Sequence, residues 1–264
     1  MDLLARVLAV NRWPLWRRPV RVWDREVTAI SFDRLLNLWL HRTGLMGSGP
    51  RAYFEQSIRP GANVVDVGAN QGLYALLFSR LAGPSGHVYA FEPDPDLFAA
   101  ATANCRANQA ANVTLFPMAA GSREARLPLR RSLVNAGDNR LAPGPSNAAR
   151  ESVEVAVRPL DTVLAGTEVD FIKIDVQGWE WEVFQGMPRI LERESSLTIW
   201  FEFWPQGLQA AGADAVKMLE FLSERGFQLH ATGEPALPRI DNFRAFAERY
   251  PGLKYTDVIA ARIR

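Results

Sequence analysis

Downstream of residue 60 the chain alternates between short apolar runs and stretches whose apolar residues recur at helical spacing. The runs Asn63–Val67, His87–Phe91 and 113–118 predict three strands, separated by helices over 72–81 and 96–108. Residues 169–174, 197–203 and 227–231 read as the fourth, fifth and sixth strands, with helices over 180–192 and 214–225 and a terminal strand at 256–262. Strands alternating with helices in this way imply an α/β fold, a doubly wound and mostly parallel sheet. Two further short strands, 125–129 and 153–157, flank a stretch rich in Ser, Asn, Gly and Pro. That stretch, 132–150, predicts a long excursion over the surface. No internal repeat interrupts the pattern.

Residues 1–60 have a different texture. They carry Trp13, Trp16, Trp23 and Trp39, half of the eight tryptophans, and the basic cluster Arg12, Arg17, Arg18 and Arg21. Leu3, Leu4, Val7 and Leu8 follow helical spacing, and Pro14 and Pro19 interrupt what comes next. Ser31 is positioned to cap a second helix running through Leu35, Leu36, Leu38, Trp39 and Leu40 toward Gly44. The expected organisation is therefore an N-terminal helical cap, 1–60, packed on a main domain, 61–264. Its aromatics suit core filling, a substrate wall or a surface-seeking segment, and the balanced charge elsewhere lends the last little support.

Composition narrows the picture. Of 264 residues, 48% are hydrophobic and 22% charged, which excludes wholesale disorder. The net charge of +1 argues against a protein that coats nucleic acid. The single cysteine, Cys105, permits no internal disulfide, so a reducing, cytoplasmic setting is the default expectation. No apolar run approaches the roughly 20 residues that span a bilayer, and the opening segment is broken by Arg6.

The informative segment is Val64-Val65-Asp66-Val67-Gly68-Ala69-Asn70-Gln71-Gly72. A hydrophobic strand passes an acid and runs through two glycines into a helix, at the strand end where open α/β sheets bind ligands. A dinucleotide fingerprint would read G-x-G-x-x-G and receive a pyrophosphate. Here the pattern is D-x-G-x-x-x-G, and an acid beside the turn suits an ammonium group instead. The second strand ends in Glu92, which lies 26 positions after Asp66 and is placed to accept hydrogen bonds from both hydroxyls of a ribose. Two such acids suit an adenosine ligand that carries an amino-acid cation and no phosphate. S-adenosylmethionine answers that description.

At these residues the sequence resembles the FkbM family of S-adenosylmethionine-dependent methyltransferases, over roughly residues 50–264. The likeness rests on the segment 65–72, on Phe91-Glu92-Pro93, on Leu160-Asp161-Thr162-Val163-Leu164 and on Phe171-Ile172-Lys173-Ile174-Asp175-Val176-Gln177-Gly178. Trp200-Phe201-Glu202-Phe203 also fits. The resemblance implies a Rossmann-like class I methyltransferase sheet of seven strands with the last antiparallel. It implies that Asp66, Gly68, Asn70 and Gly72 surround the methionine end, that Glu92 holds the ribose, and that the loop 118–121, with Ala119, borders the adenine. One departure stands out: the family commonly has Glu where this chain has Gln177.

A sulfonium is an activated donor, so the protein's task is to align acceptor, methyl and sulfur and to exclude water. An alcohol acceptor must also lose its proton, which invites a general base. Asp175 closes the fourth strand, facing the crevice where cofactor and acceptor meet, and is the first candidate. Glu202 is the second, and Lys173, two residues before Asp175, is a candidate partner that keeps it ionised. Both acids also suit capping or structural pairing. His41, His87 and His230 form no metal-ligand spacing, and no metal is expected. The acceptor is expected beneath the cap and the excursion, with Trp179, Trp181 and Trp204 as flat walls or as helix-to-sheet packing.

The leading expectation is O-methylation of a small-molecule natural product or glycan. N-methylation of a peptide or amine is the alternative, and a non-catalytic cofactor-binding module is the alternative of another class. The oligomeric state is left open.

Overall fold

The computed structural model describes residues 19–22, 25–28, 48–132, 136–141, 152–193, 196–232 and 237–262. Strands β1 (Pro19–Val22) and β2 (Arg25–Thr28) form an antiparallel ladder. The helices expected around Leu3–Leu8 and Leu35–Leu40 lie outside the described residues. Within them, the N-terminal part contains that ladder and helix α1 (Ser48–Ser57), so it is not purely helical.

The central sheet has seven strands. These are β3 (Asn63–Val67), β4 (His87–Phe91), β5 (Val113–Phe116), β10 (Phe171–Ile174), β11 (Thr198–Phe203), β12 (Gln228–Ala231) and β13 (Thr256–Ala261). Their order across the sheet is β12-β13-β11-β10-β3-β4-β5. The pairs among β3, β4, β5, β10 and β11 are parallel. β13 runs antiparallel to both β11 and β12 and is inserted between them. The middle strands β3, β10 and β11 are buried almost throughout, as expected where helices cover both faces.

Strand alternation sorts the side chains onto two faces. Val65, Val67, Ile172, Ile174, Ile199 and Phe201 enter one core. Val64, Phe171, Trp200 and Ile259 enter the other, which is covered by α1 and by α2 (Leu73–Ala82). Phe54 of α1 is the centre of that second layer, with ring centroids 4.9 Å from Trp200, 5.2 Å from Phe78 and 5.7 Å from Phe171. Helix α1 is therefore built into the sheet's own core rather than into a separate cap. By the same alternation Asp66, Lys173, Glu202 and Asp257 fall on this second face, since Asp66 pairs in register with Lys173 and Glu202 with Asp257.

A four-stranded sheet comprises β6 (Ala119–Ala120), β7 (Ala125–Arg130), β8 (Arg140–Leu141) and β9 (Ser152–Arg158), in the order β6-β9-β7-β8. The expected excursion thus folds back, through a 3-10 turn at Ala136–Asp138, to pair on β7. Helix α3 (Pro95–Ala107) follows β4 as expected, and a single turn, α4 (Leu160–Val163), follows β9. The helices depart from the expected pattern in two ways. The helix expected over 180–192 is two, α5 (Glu180–Gln185) and α6 (Pro188–Arg193). Pro188 has no N–H to continue the first, and the chain at Gly186 passes so close to Gly121 that a Cβ would stand 2.0 Å from its carbonyl oxygen. Helices at Pro205–Ala210 and Phe243–Glu248 have no counterpart in the expected pattern. Among the described residues no helix is long and apolar enough to cross a membrane.

Candidate functional site

At the carboxyl ends of the parallel strands lies a crevice of about 510 Å³, within the range common for small-molecule sites. One half is made by the loop after β3. Gly68 adopts φ 84°, and a Cβ there would stand 2.0 Å from the backbone oxygen of Asp175, so only glycine lets this loop pass beside the end of β10. Asn70 follows in the left-handed region, at φ 52°. Its backbone N–H donates to Glu92 Oε2 at 2.8 Å, and the N–H of Asp94 donates to Glu92 Oε1 at 2.8 Å. Glu92 thereby joins two strand-end loops while its remaining lone pairs face the crevice. It is 5% exposed, and burial pushes its pKa up to about 8.

The second half is made by the ends of β10, β11 and β13. Lys173 is buried, its Nζ 3.3 Å from Asp175 Oδ2, 3.8 Å from Asp66 Oδ1 and 4.7 Å from the Tyr74 ring centroid. Burial alone would push its pKa down, but Asp175 and Asp66 more than reverse this and hold the ammonium charged. Asp175, 40% exposed at its side chain, opens into the crevice. Gln177 Nε2 donates to Asp175 Oδ1 at 3.1 Å and to Glu202 Oε1 and Oε2 at 3.1 and 3.0 Å. Glu202 is nearly enclosed. Burial, and then the negative charges of Asp175, Glu180 and Asp257, hold its pKa far above the usual carboxylate range. Burial and Asp175 push Asp257 up to about 7.

Gly68, Asn70, Glu92, Ala119, Lys173, Asp175 and Glu202 all line the crevice. Asp66 does not. It sits inside β3, one residue before the strand end, fully buried beside Lys173, and burial raises its pKa to about 6. Gly72 is also off the wall: at φ 82° it caps α2, with a would-be Cβ 3.3 Å from Ala101. Trp179 and Trp204 line the crevice, whereas Trp181 packs edge-on against Phe221 at 5.0 Å. His87 bonds Thr114 and His230 the Leu237 carbonyl, both away from the crevice, and His41 lies outside the described residues. Among the described residues no group of three His, Cys, Asp or Glu side chains is placed to hold a metal ion.

Tyr74, Leu253, Tyr255 and Asp257, which no sequence motif points to, also line the crevice, as does Arg140 of the excursion. Arg140 lies over the Trp204 ring at 4.4 Å and pairs with Asp138. Trp204 Nε1 donates to the Gly252 carbonyl at 2.8 Å, which fixes the segment bearing the exposed Leu253 and Tyr255 at the mouth.

These residues fit S-adenosylmethionine. Glu92 offers acceptor lone pairs at the strand end where a ribose diol belongs, the Gly68 turn permits close backbone approach, and Asp175 supplies negative charge near it. Strand order and crevice together define the class: this is the fold of the class I methyltransferases. A family model described as the methyltransferase FkbM domain matches residues 66–229, and the chain belongs to that family. The 31-O-demethyl-FK506 methyltransferase FkbM of Streptomyces tacrolimicus is 34% identical over 170 residues, covering 52% of this chain and 64% of that protein. The hexuronic acid methyltransferase AglP of Haloferax volcanii is 29% identical over 171 residues, covering 60% of each chain. Both matches span less than two thirds of the relative's own length. Among solved structures, a candidate rRNA-methylase of Clostridium thermocellum has the same fold, with a TM-score of 0.50 and 11% identity over 81% of this chain and 94% of that one.

Proposed function

We propose that the chain is an O-methyltransferase that acts on a hydroxyl of a small molecule or glycan, with S-adenosylmethionine as donor. The observation that carries this reading is the unequal pair of carboxylates in the second half of the crevice. Asp175 is open to the crevice and has a donor on each oxygen, Lys173 on one and Gln177 on the other. Glu202 is enclosed and driven toward its neutral form. An open carboxylate beside an enclosed acid that is driven toward its neutral form is what an acid–base division of labour requires.

When bound, the donor supplies an electrophilic methyl on a sulfonium. Glu92 would accept hydrogen bonds from the ribose hydroxyls, the Gly68–Asn70 turn and Asp175 would hold the amino-acid end, and Ala119 and Ala120 would flank the base. Asp175 would take up the proton that the acceptor hydroxyl loses. Lys173 remains charged beside it, which keeps Asp175 in the carboxylate form that this step needs. Trp200, Trp204 and Tyr255 wall the acceptor end and limit water. The names of the two relatives, a 31-O-demethyl-FK506 methyltransferase and a hexuronic acid methyltransferase, support acceptors that bear hydroxyl groups. The lone cysteine supports a reducing, cytoplasmic setting.

The test is incubation with methyl-labelled donor and panels of hydroxylated macrocycles, uronic acids, free amines and peptides, followed by mass spectrometry of the products. Label on oxygen supports the reading. Label on nitrogen, which the acidic acceptor end would favour through attraction of an amine, overturns it. No S-adenosylhomocysteine from any panel favours a binding module.

A further inference from the structure

We propose that Gln177 is a positioning residue whose side-chain amide bridges Asp175 and Glu202 and holds the Asp175 carboxylate in place to take the proton. This rests on the reading that Asp175 accepts the hydroxyl proton.

Gln177 has φ 56° and Gly178 φ 97°, two successive left-handed residues. A glutamine held there is strained, which persists only when its surroundings over-determine it. Those surroundings are visible. A Cβ on Gly178 would stand 2.6 Å from the Gly207 backbone, and Glu180 Oε1 accepts from the N–H groups of Val176 and Gly178 at 3.1 and 3.2 Å. The turn that results aims the Gln177 side chain back across the end of β10, where Nε2 lies 3.0–3.1 Å from Asp175 Oδ1 and both Glu202 oxygens.

An amide nitrogen has two hydrogens and no charge to lose, so it donates to both carboxyl groups at every working pH. A carboxylate at this position would instead bring a third acceptor into hydrogen-bond range of the other two, and such neighbours cannot all ionise. The groups that interact with Asp175 are Lys173, Asp66, Glu180, Glu202, Asp257, Tyr74 and Tyr255. Lys173 is the one cation among them, and it hydrogen-bonds Asp175. The amide donor favours the ionised form of both carboxyl groups, Glu202 included, and Lys173 adds a cation at Asp175.

The test is a titration of carboxyl carbons by NMR on the full chain labelled at Asp and Glu side chains and loaded with S-adenosylhomocysteine. The variants Asp175→Asn and Glu202→Gln assign the two signals. The substitution Gln177→Glu keeps the shape but adds a charge, and it is expected to raise the Asp175 midpoint by about one pH unit or more. Gln177→Met, which removes the donor without adding charge, is expected to raise it by less. Calorimetric binding of S-adenosylhomocysteine identifies folded variants, and either variant suffices if the other fails to fold. An Asp175 midpoint within about 0.3 pH unit of the parent in a folded variant overturns the clamp, because hydrogen-bond loss or a new charge must move it. Wild-type turnover in Asp175→Asn, measured with any acceptor found in the panels, sinks the base assignment instead and leaves the titration result standing.

Discussion

Arg131 grips Asp94 through both of its carboxylate oxygens, Nε to Oδ2 at 2.6 Å and Nη2 to Oδ1 at 2.7 Å. Asp94 is fully buried at its side chain, caps α3 through the N–H groups of Asp96 and Leu97, and also accepts from Asn139 at 3.1 Å. Its own N–H donates to Glu92. The segment that bears Arg131 and Asn139 is thus tied to the loop that carries Glu92. Arg131→Ala leaves Asp94 without its charge partner, and breaking such a pair costs about 3–5 kcal/mol when fully buried. Arg131 is partly exposed, so the lower end is expected, read as a reduced urea midpoint together with weaker S-adenosylhomocysteine binding by calorimetry. Unchanged binding in a destabilised variant would show that the two loops are not coupled.

Glu92 links cofactor binding to pH. Its free-state pKa, raised to about 8, leaves it largely protonated at neutrality. Hydroxyl donors from a ribose favour the ionised form, so binding lowers the pKa and releases a proton. Affinity for S-adenosylhomocysteine is expected to rise with pH through about 8 and then level off. Calorimetry in two buffers of different ionisation enthalpy measures the released proton directly. Glu92→Gln is expected to abolish the release and to weaken binding by roughly tenfold or more, in keeping with about 1.5–3 kcal/mol for hydrogen bonds to charged groups.

Lys173 is the counter-ion on which Asp66 depends. In Lys173→Met, Asp66 and Asp175 lose their shared cation, and a loss of about 3–5 kcal/mol is expected. The pH dependence has a definite sign. Asp66 already has a folded-state pKa raised to about 6, and without Lys173 it moves higher. A carboxyl group with a raised folded pKa favours the native state while protonated and loses that advantage as pH rises through the folded value. Thermal melts should therefore separate the variant from the parent more at pH 8 than at pH 5. A gap that widens toward acid would contradict the pairing.

Gly68→Ala tests the close approach between β3 and β10. A methyl group placed 2.0 Å from the Asp175 carbonyl oxygen, on a residue at φ 84°, forces the loop to shift. Strain of this kind costs about 1–3 kcal/mol. The expected result is a lower melting temperature with cofactor affinity reduced by more than stability alone predicts. Retained affinity would mean that the turn does not touch the ligand.

Much of this architecture is legible in the sequence because β3, β10 and β11 are short apolar runs bounded by glycine, proline or charge. Period-two alternation also places Lys173 with Asp175 on one face. Depth is harder to read. Asp66 looks like a strand-end acid, but it is fully buried beside Lys173, its register partner on β10, and of the two only Lys173 lines the crevice. Asp257 and Tyr255 carry no local signal, since their place beside Glu202 comes from β13 entering the sheet next to β11 rather than at its edge. The approach of Arg140 to Trp204 likewise joins distant segments through tertiary folding alone. Gln177 is visible as a departure from a familiar motif, yet its reach to two carboxyl groups depends on a left-handed backbone that no residue preference announces.

The insertion of β13 has an evolutionary corollary. In the proposed assignment the residues that would receive the nucleoside come from the first half of the chain, whereas Glu202, Trp204, Tyr255 and Asp257 come from its last third. Selection can therefore rewrite the C-terminal portion to recruit a new acceptor while the donor-handling machinery is inherited intact.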